Sequence, residues 1–222
     1  INMKKILTIL FFTLFMGASS QAEISFGISG ALTQIEASGT ETEGGEKNSK
    51  DVSHVTVLPS VFVEYGITDR ITIGLDYIPG DADVSNGTHT REDVETSVTS
   101  TATTTATQRT QKAQAELSNH MSLYADYMIN DTTFVKGGVV QVDLDTLESL
   151  GTGSKYGNDT INGFVLGAGI KKDVDGFGKF MKIELVYTDY EDISLKSSVA
   201  RTGVTTNNKI EADLDTMALK VS

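Results

Sequence analysis

The chain has 222 residues, 39% of them hydrophobic, with no Cys, no Trp, 2 Pro, 21 Gly and a formal charge of −12. That length suits one domain, and the lack of Cys excludes disulfide staples, thiolate metal sites and thiol nucleophiles. No basic cluster interrupts the acidic average, which excludes nucleic acid as a partner, because phosphate binding rests on Lys and Arg.

Met3-Lys4-Lys5 followed by the apolar run Ile6 to Phe15 has the form of a secretory signal, and Ser20-Gln21-Ala22 is a small-residue cleavage site. The apolar run is about ten residues, where a spanning helix needs about twenty. The expectation is therefore cleavage after Ala22, with residues 1–22 as signal peptide and 23–222 as the mature domain. Ile1 and Asn2 then lie upstream of the true start at Met3. No later run is apolar enough for a helical span, so any membrane residence must be through strands.

From there the chain alternates. Ile24, Phe26, Ile28, Gly30 and Leu32 share one face against Ser25, Gly27, Ser29 and Thr33, predicting a strand to about Ile35. Ala37 to Lys50 has loop composition. Val55 to Tyr77 is a predicted hairpin about a Thr68-Asp69-Arg70 turn, with Val61, Val63, Tyr65, Ile71, Ile73, Leu75 and Tyr77 on an apolar face and Ser60, Glu64 and Asp76 opposite. Pro59 falls within its first strand, where a missing N–H predicts a local bulge. Pro79 to Lys112 is the longest insertion. Its Thr-rich half reads as strand extension in preference to disordered loop, since Thr is a good strand former.

Ala115 to Met128 places Leu117, Met121, Leu123, Ala125 and Tyr127 on one face and Glu116, Ser118, His120, Ser122 and Asp126 on the other. After an Asn130-Asp131-Thr132 turn, Phe134 to Leu144 alternates Val140, Val142 and Leu144 with Gln141 and Asp143. The faces before Gly138 are ambiguous, because Phe134 and Lys136 share one. Leu150 to Thr160 is a predicted loop. Ile161 to Lys171 sets Phe164, Leu166, Ala168 and Ile170 against glycines, and Lys172 to Gly178 is a turn. Phe180 to Ile193 sets Met181, Ile183, Leu185 and Tyr187 against Lys182, Glu184 and Thr188. Ser197 to Asn208 is a polar loop, and a last strand runs from about Ile210 to Ser222.

Eight such strands form an all-β, antiparallel, up-and-down barrel. Alternation serves a soluble lipocalin-like barrel equally well, with its apolar face inside. Three features favour a transmembrane barrel. Long connections alternate with short ones, as in outer-membrane barrels. Tyr65 and Tyr127 near the short turns, and Tyr77, Phe164 and Tyr187 near the long loops, form two aromatic girdles. The opposite face carries Glu64, Asp76, Glu116, His120, Asp126, Lys182 and Glu184, which can pair in a narrow lumen but are costly in an apolar core.

The export signal, GFVLGAGIK at Gly163 to Lys171, and KIELVYTDYEDISL at Lys182 to Leu195 resemble the small eight-stranded outer-membrane β-barrel proteins, including the opacity-type adhesins and the OmpA, OmpX and OmpW transmembrane domains. The resemblance covers Glu23 to Ser222. It implies a Gram-negative outer-membrane location, lipopolysaccharide as surroundings and the barrel-assembly machinery as a partner. Members usually end in an aromatic residue, whereas this chain stops at Val221-Ser222, so the last strand is expected to be truncated.

Candidate chemistry is sparse. Ser118, His120 and Ser122 could suggest a nucleophile, but such a pair needs an orienting third group, and polar filling of the lumen explains them. Asp173-Val174-Asp175-Gly176 lacks the full calcium-loop ligand set. Asp143-Leu144-Asp145-Thr146 and Asp213-Leu214-Asp215-Thr216 end two strands; cation binding at headgroup level and simple solvation both remain open. No enzyme activity, cofactor or metal is expected. The first functional reading is a monomeric scaffold presenting acidic, Thr-rich outer loops to an extracellular ligand. An OmpW-like channel for small or hydrophobic solutes is the alternative, and a lipid-modifying enzyme a remote one.

Overall fold

The computed structural model describes residues 23–43, 45–98, 104–151, 154–174, 180–200 and 206–222. Its strands are β1 (Ile24–Glu43), β2 (Glu46–Gly66), β3 (Ile71–Asp83), β4 (His89–Val98), β5 (Thr104–Ala113), β6 (Ala115–Met128), β7 (Thr133–Thr146), β8 (Ser149–Leu150), β9 (Asp159–Asp173), β10 (Phe180–Tyr190), β11 (Ile193–Ala200) and β12 (Asn207–Val221). Eight of these, in the order β1-β2-β3-β6-β7-β9-β10-β12, form an antiparallel ring that β1 and β12 close. The predicted signal peptide and part of the predicted Lys172 to Gly178 turn lie outside the described residues.

Short turns at one end are fixed by side-chain oxygens. Thr68 Oγ1 accepts from the backbone N–H of Arg70 and Ile71, at 3.2 and 3.0 Å. Asn130 Oδ1 accepts from the N–H of Thr132 and Thr133, at 2.9 and 2.8 Å. Such side chains mimic a backbone turn, which is why they mark these positions.

At the other end, several segments with loop composition are strand. Ala37 to Lys50 continues β1 and β2 as a hairpin that turns at Gly45, whose φ of 96° needs glycine. Ser, Thr and Glu alternate there, and Thr40 and Ser49 bond across the hairpin at 2.8 Å. β4 and β5 form a second hairpin, joined by β8 into a small sheet, and β11 lies along the outer half of β12. The Thr-rich stretch thus extends as strand on both sides of residues 99–103, which lie outside the described residues.

The bulge expected at Pro59 is absent. β1 and β2 stay in unbroken register from Ile24↔Tyr65 to Glu43↔Glu46, with Pro59 opposite Gly30. The disruption falls on the other side of the strand, where the β2–β3 ladder ends at Val61↔Tyr77. A bulge does occur elsewhere. The β6 register shifts between Ser118 and Met121 against β7, the β3 register shifts between Ile78 and Asp81 against β6, and Asn119 adopts a φ of 51°, a region Asn tolerates better than most residues.

The ring has two tiers with opposite polarity. In the lower tier, Ile24, Phe26, Ile28 and Leu32 of β1 point outward, as do Leu166 and Ile170 of β9 and Leu185 of β10; polar side chains and a few aromatic ones, Phe62 and Phe134 among them, fill the inside. Higher up, the faces exchange. Outward positions become Gln34 and Glu36 on β1, Gln141 and Asp143 on β7, Asp189 on β10 and Asp215 on β12, while Ile35, Val140, Val142, Leu144, Ile161 and Leu214 turn inward as a buried apolar core. Some outward carboxylates are direct cross-strand neighbours: Glu36, Asp215 and Asp189 form one row, and Asp83, Glu116 and Asp145 another.

Candidate functional site

The lower lumen is filled by charge. Lys182 on β10, 1% exposed, donates to Glu64 on β2 and to Asp126 on β6, the latter at 3.1 Å. Tyr124 donates its hydroxyl to Glu64 at 2.8 Å. Lys136 on β7 comes within 2.6 Å of Glu184 and 3.8 Å of Asp126, and sits 3.9 Å from the centre of the Tyr124 ring. Lys220 on β12 binds Asp76 at 2.6 Å; Asp76 also accepts from Ser60 at 2.9 Å, and Ser60 bonds Ser29 at 2.5 Å. Lys171 closes the inner end, 4.0 Å over the Phe180 ring. Three lysines therefore meet four carboxylates across the lumen. An eight-stranded ring is only wide enough for side chains to fill, and Gly74 makes the filling possible: a Cβ there would lie 2.2 Å from Cζ of Tyr124.

This network gathers Glu64, Asp76, Asp126, Lys182 and Glu184 from the expected set and adds Lys136, Lys220 and Tyr124. Glu116 is not part of it. The Asn119 bulge reverses the face of the residues before it, so Leu117 packs inside and Glu116 points outward beside Asp83 and Asp145. The same bulge separates Ser118 from His120. Ser118 donates to Asp145 at 2.8 Å, while the His120 ring lies inside, edge-on to Tyr190 at 6.4 Å, with Nδ1 lacking a hydrogen-bond partner. His120 and Ser122 therefore face inward together, and Ser118 does not join them. Tyr65, Tyr77, Tyr127, Phe164 and Tyr187 all point outward. Both Asp-Leu-Asp-Thr words bury their Leu and turn their Asp outward, Asp213 exposed and the other three half-buried, and among the described residues no acidic or histidine cluster has metal-site geometry.

Above the network lies a feature that alternation did not disclose, a chamber of about 660 Å³ inside the upper tier. Its floor is Val84, Leu144, Ile193, Leu195 and Leu214; Val52, Ala113, Leu150 and Ile210 form the walls. That volume is within the range of small-molecule sites, which are mostly apolar with a few placed polar groups. Among the polar lining groups, one cluster gathers about Glu41. Glu41 accepts from Arg91 at 2.9 Å, from the Tyr156 hydroxyl at 2.5 Å and from Asn208 at 3.5 Å, and Arg91 also reaches Glu43 at 3.5 Å. Burial, then the adjacent Glu41 carboxylate, pushes the Tyr156 phenol well above its usual range, keeping it a donor. A second cavity, about 90 Å³, lies between chamber and ion network, lined in part by Leu58, Ile78, Gly80 and His120.

No family model and no curated protein matches this chain. Among solved structures it is similar to the outer-membrane protease OmpT of Escherichia coli, at 11% identity over 89% of this chain and 95% of that one, with a TM-score of 0.43. It is also similar to the outer-membrane protein AlkL in lipid bilayers, at 13% identity over 92% and 93%, TM-score 0.40. A third is Ail, the attachment invasion locus protein of Yersinia pestis, solved with the heparin analogue sucrose octasulfate, at 12% identity over 87% and 98%, TM-score 0.30. One is a protease and one an attachment protein, so the likeness selects no activity.

Proposed function

We propose that this protein is a plugged outer-membrane barrel whose surface-exposed upper chamber binds a small, mainly apolar ligand carrying one hydrogen-bonding group. The observation that carries the reading is the exchange of faces. An outward belt that includes Phe26, Ile28, Leu166 and Leu185, 52–85% exposed, has no counterpart in a water-soluble surface. It suits lipid, with the two aromatic girdles at its margins. The polarity above it suits a wet exterior around an apolar interior. Export with cleavage after Ala22, folding by the barrel-assembly machinery and lipopolysaccharide surroundings belong to the same reading.

The chamber turns the scaffold into a receptor, and the charged lumen beneath it opposes straight-through diffusion. A solute channel remains the second reading, favoured by the apolar chamber alone. Catalysis has no support from the arrangement around His120. The test uses the refolded barrel in liposomes. Leu150→Trp places a single Trp in the chamber wall of a chain that has none; 10-bromodecanol should quench it saturably, and planar-bilayer conductance should stay at background. Non-saturable quenching, or a stable open-pore current, would overturn the proposal.

A further inference from the structure

Every other pair of neighbours in the ring is zipped for most of its shared length, but β2 and β3 pair only from Gly66↔Thr72 to Val61↔Tyr77. Extending that register by two residues sets Pro59 against Pro79, the chain's only prolines. Neither has an N–H to give, so the ladder has no donor on either strand at that point. Above it the strands part. β2 stays with β1 as far as Glu46, while β3 follows β6 through a register shift between Ile78 and Asp81, with Gly80 at a φ of 87°. Among the described residues, Glu46 to Ser60 of β2 pair on the β1 side only.

The height and contents of this gap say what it is for. On β2 the outward apolar run continues above the last paired residue, through Val57 and Val55, 68% and 55% exposed. Val57 lies level with Leu32 of the apolar belt. The lower part of the gap therefore faces the same surroundings as the belt. Inside, both cavities touch both lips: the small one reaches Leu58 on β2 and Ile78 and Gly80 on β3, and the chamber reaches Val52 on β2 and Val84 just past β3. An open edge within hydrocarbon is tolerated only where the backbone is protected or lines a cavity, and the two prolines remove donors that would otherwise be stranded.

We propose that the β2–β3 gap is a side doorway through which the alkyl chain of an amphiphile dissolved in the outer leaflet enters the barrel and reaches the chamber. This rests on the membrane reading above. It makes the bilayer, and not the surrounding water, the source of the ligand. Arg91 bridging to Glu41 and Glu43 covers the chamber from above, which leaves the side as the less polar approach. His120 Nδ1, without a partner in the small cavity, is placed to bond a hydroxyl travelling with the chain.

The test exploits the absence of Trp. Single-Trp variants Leu58→Trp (lip, pointing in), Val165→Trp (pointing in, on β9, zipped on both sides) and Leu166→Trp (pointing out) are refolded into liposomes of phosphatidylcholine brominated in its acyl chains. A gel shift between boiled and unboiled samples certifies folding, and Ile78→Trp replaces Leu58→Trp if the latter fails. Leu166→Trp must be strongly quenched; if it is not, the membrane reading itself has failed. Given that, quenching of Leu58→Trp several-fold above Val165→Trp supports the doorway, and equal quenching of the two overturns it. In the Pro59→Thr/Pro79→Thr background, which restores the donors, the Leu58→Trp signal should fall toward the Val165→Trp level.

Discussion

Replacing Lys182 with Ala tests whether the lumen network holds the barrel together. Lys182 is 1% exposed, and its ammonium bonds Glu64 and Asp126 and lies 5.5 to 5.8 Å from the ring centres of Phe62, Phe134, Tyr124 and Phe180. Removing it leaves Asp126 with Lys136 at 3.8 Å, but strips Glu64 of its bonded cation and leaves only the Tyr124 hydroxyl. Breaking one partner out of a buried pair costs about 3–5 kcal/mol, because the other charge stays desolvated. If stranded charge is the cause, adding Glu64→Gln should recover about 1–3 kcal/mol, the usual coupling between contacting residues. The assay is urea unfolding in lipid vesicles followed by the boiled-versus-unboiled gel shift, with single-channel recording alongside. A loss below about 1 kcal/mol, as for an exposed pair, would refute the reasoning. So would a wide, stable pore in the unmodified protein.

Other consequences are equally direct. Gly74→Val should cost about 1–3 kcal/mol or more in the same assay, since the new side chain meets the Tyr124 ring, and Gly137→Ala, with open space around its Cβ position, should not. Val142→Asp should destabilise by several kcal/mol by burying a charge in the upper core, whereas Asp143→Val, one residue along and pointing outward, should leave the gel shift intact. Partial burial and the carboxylates of Asp83, Asp81 and Asp145 hold Glu116 above its ordinary pKa. A raised carboxyl pKa favours the protonated folded state, so its stability contribution is full at low pH and is lost as pH rises through the folded value. Glu116→Gln should therefore flatten that decline and gain at most about 0.5 kcal/mol at pH 7, exposed charges being well screened.

Period-two alternation made the eight-stranded ring legible, because a side chain's face depends only on its parity. It could not show which solvent each face meets along the strand. Val140, Val142 and Leu144 alternate with Gln141 and Asp143 whether they face lipid or an interior; only their place above the girdle sends them inward. β6 hid its bulge for a related reason. Leu117 keeps the parity of Met121, Leu123 and Ala125, but the extra residue at Asn119 turns its face at the height where the preferred solvent also changes. The two reversals cancel in the pattern. Glu116 was misplaced with the same stroke. Lys136 was obscured by sharing a face with Phe134, and it took the ring to bring it against Glu184. The prolines were visible from the start, but their opposition across β2 and β3 appears only with the register.

On five strands of the ring the faces exchange within two residues of the same register, from Leu32 to Gln34, Val139 to Gln141, Phe164 to Asn162, Tyr187 to Asp189 and Met217 to Asp215. On the membrane reading proposed above, strands zipped to their neighbours cannot tilt one by one, so the bilayer adapts to this line. A leaflet only a few ångströms too thick would submerge Glu36, Asp189 and Asp215 together, three carboxylates already side by side. Hydrophobic mismatch costs a fraction of a kcal/mol per Å for ordinary spans; this row of acids makes the penalty steeper on one side than on the other. On that reading the barrel fits thin bilayers better than thick ones.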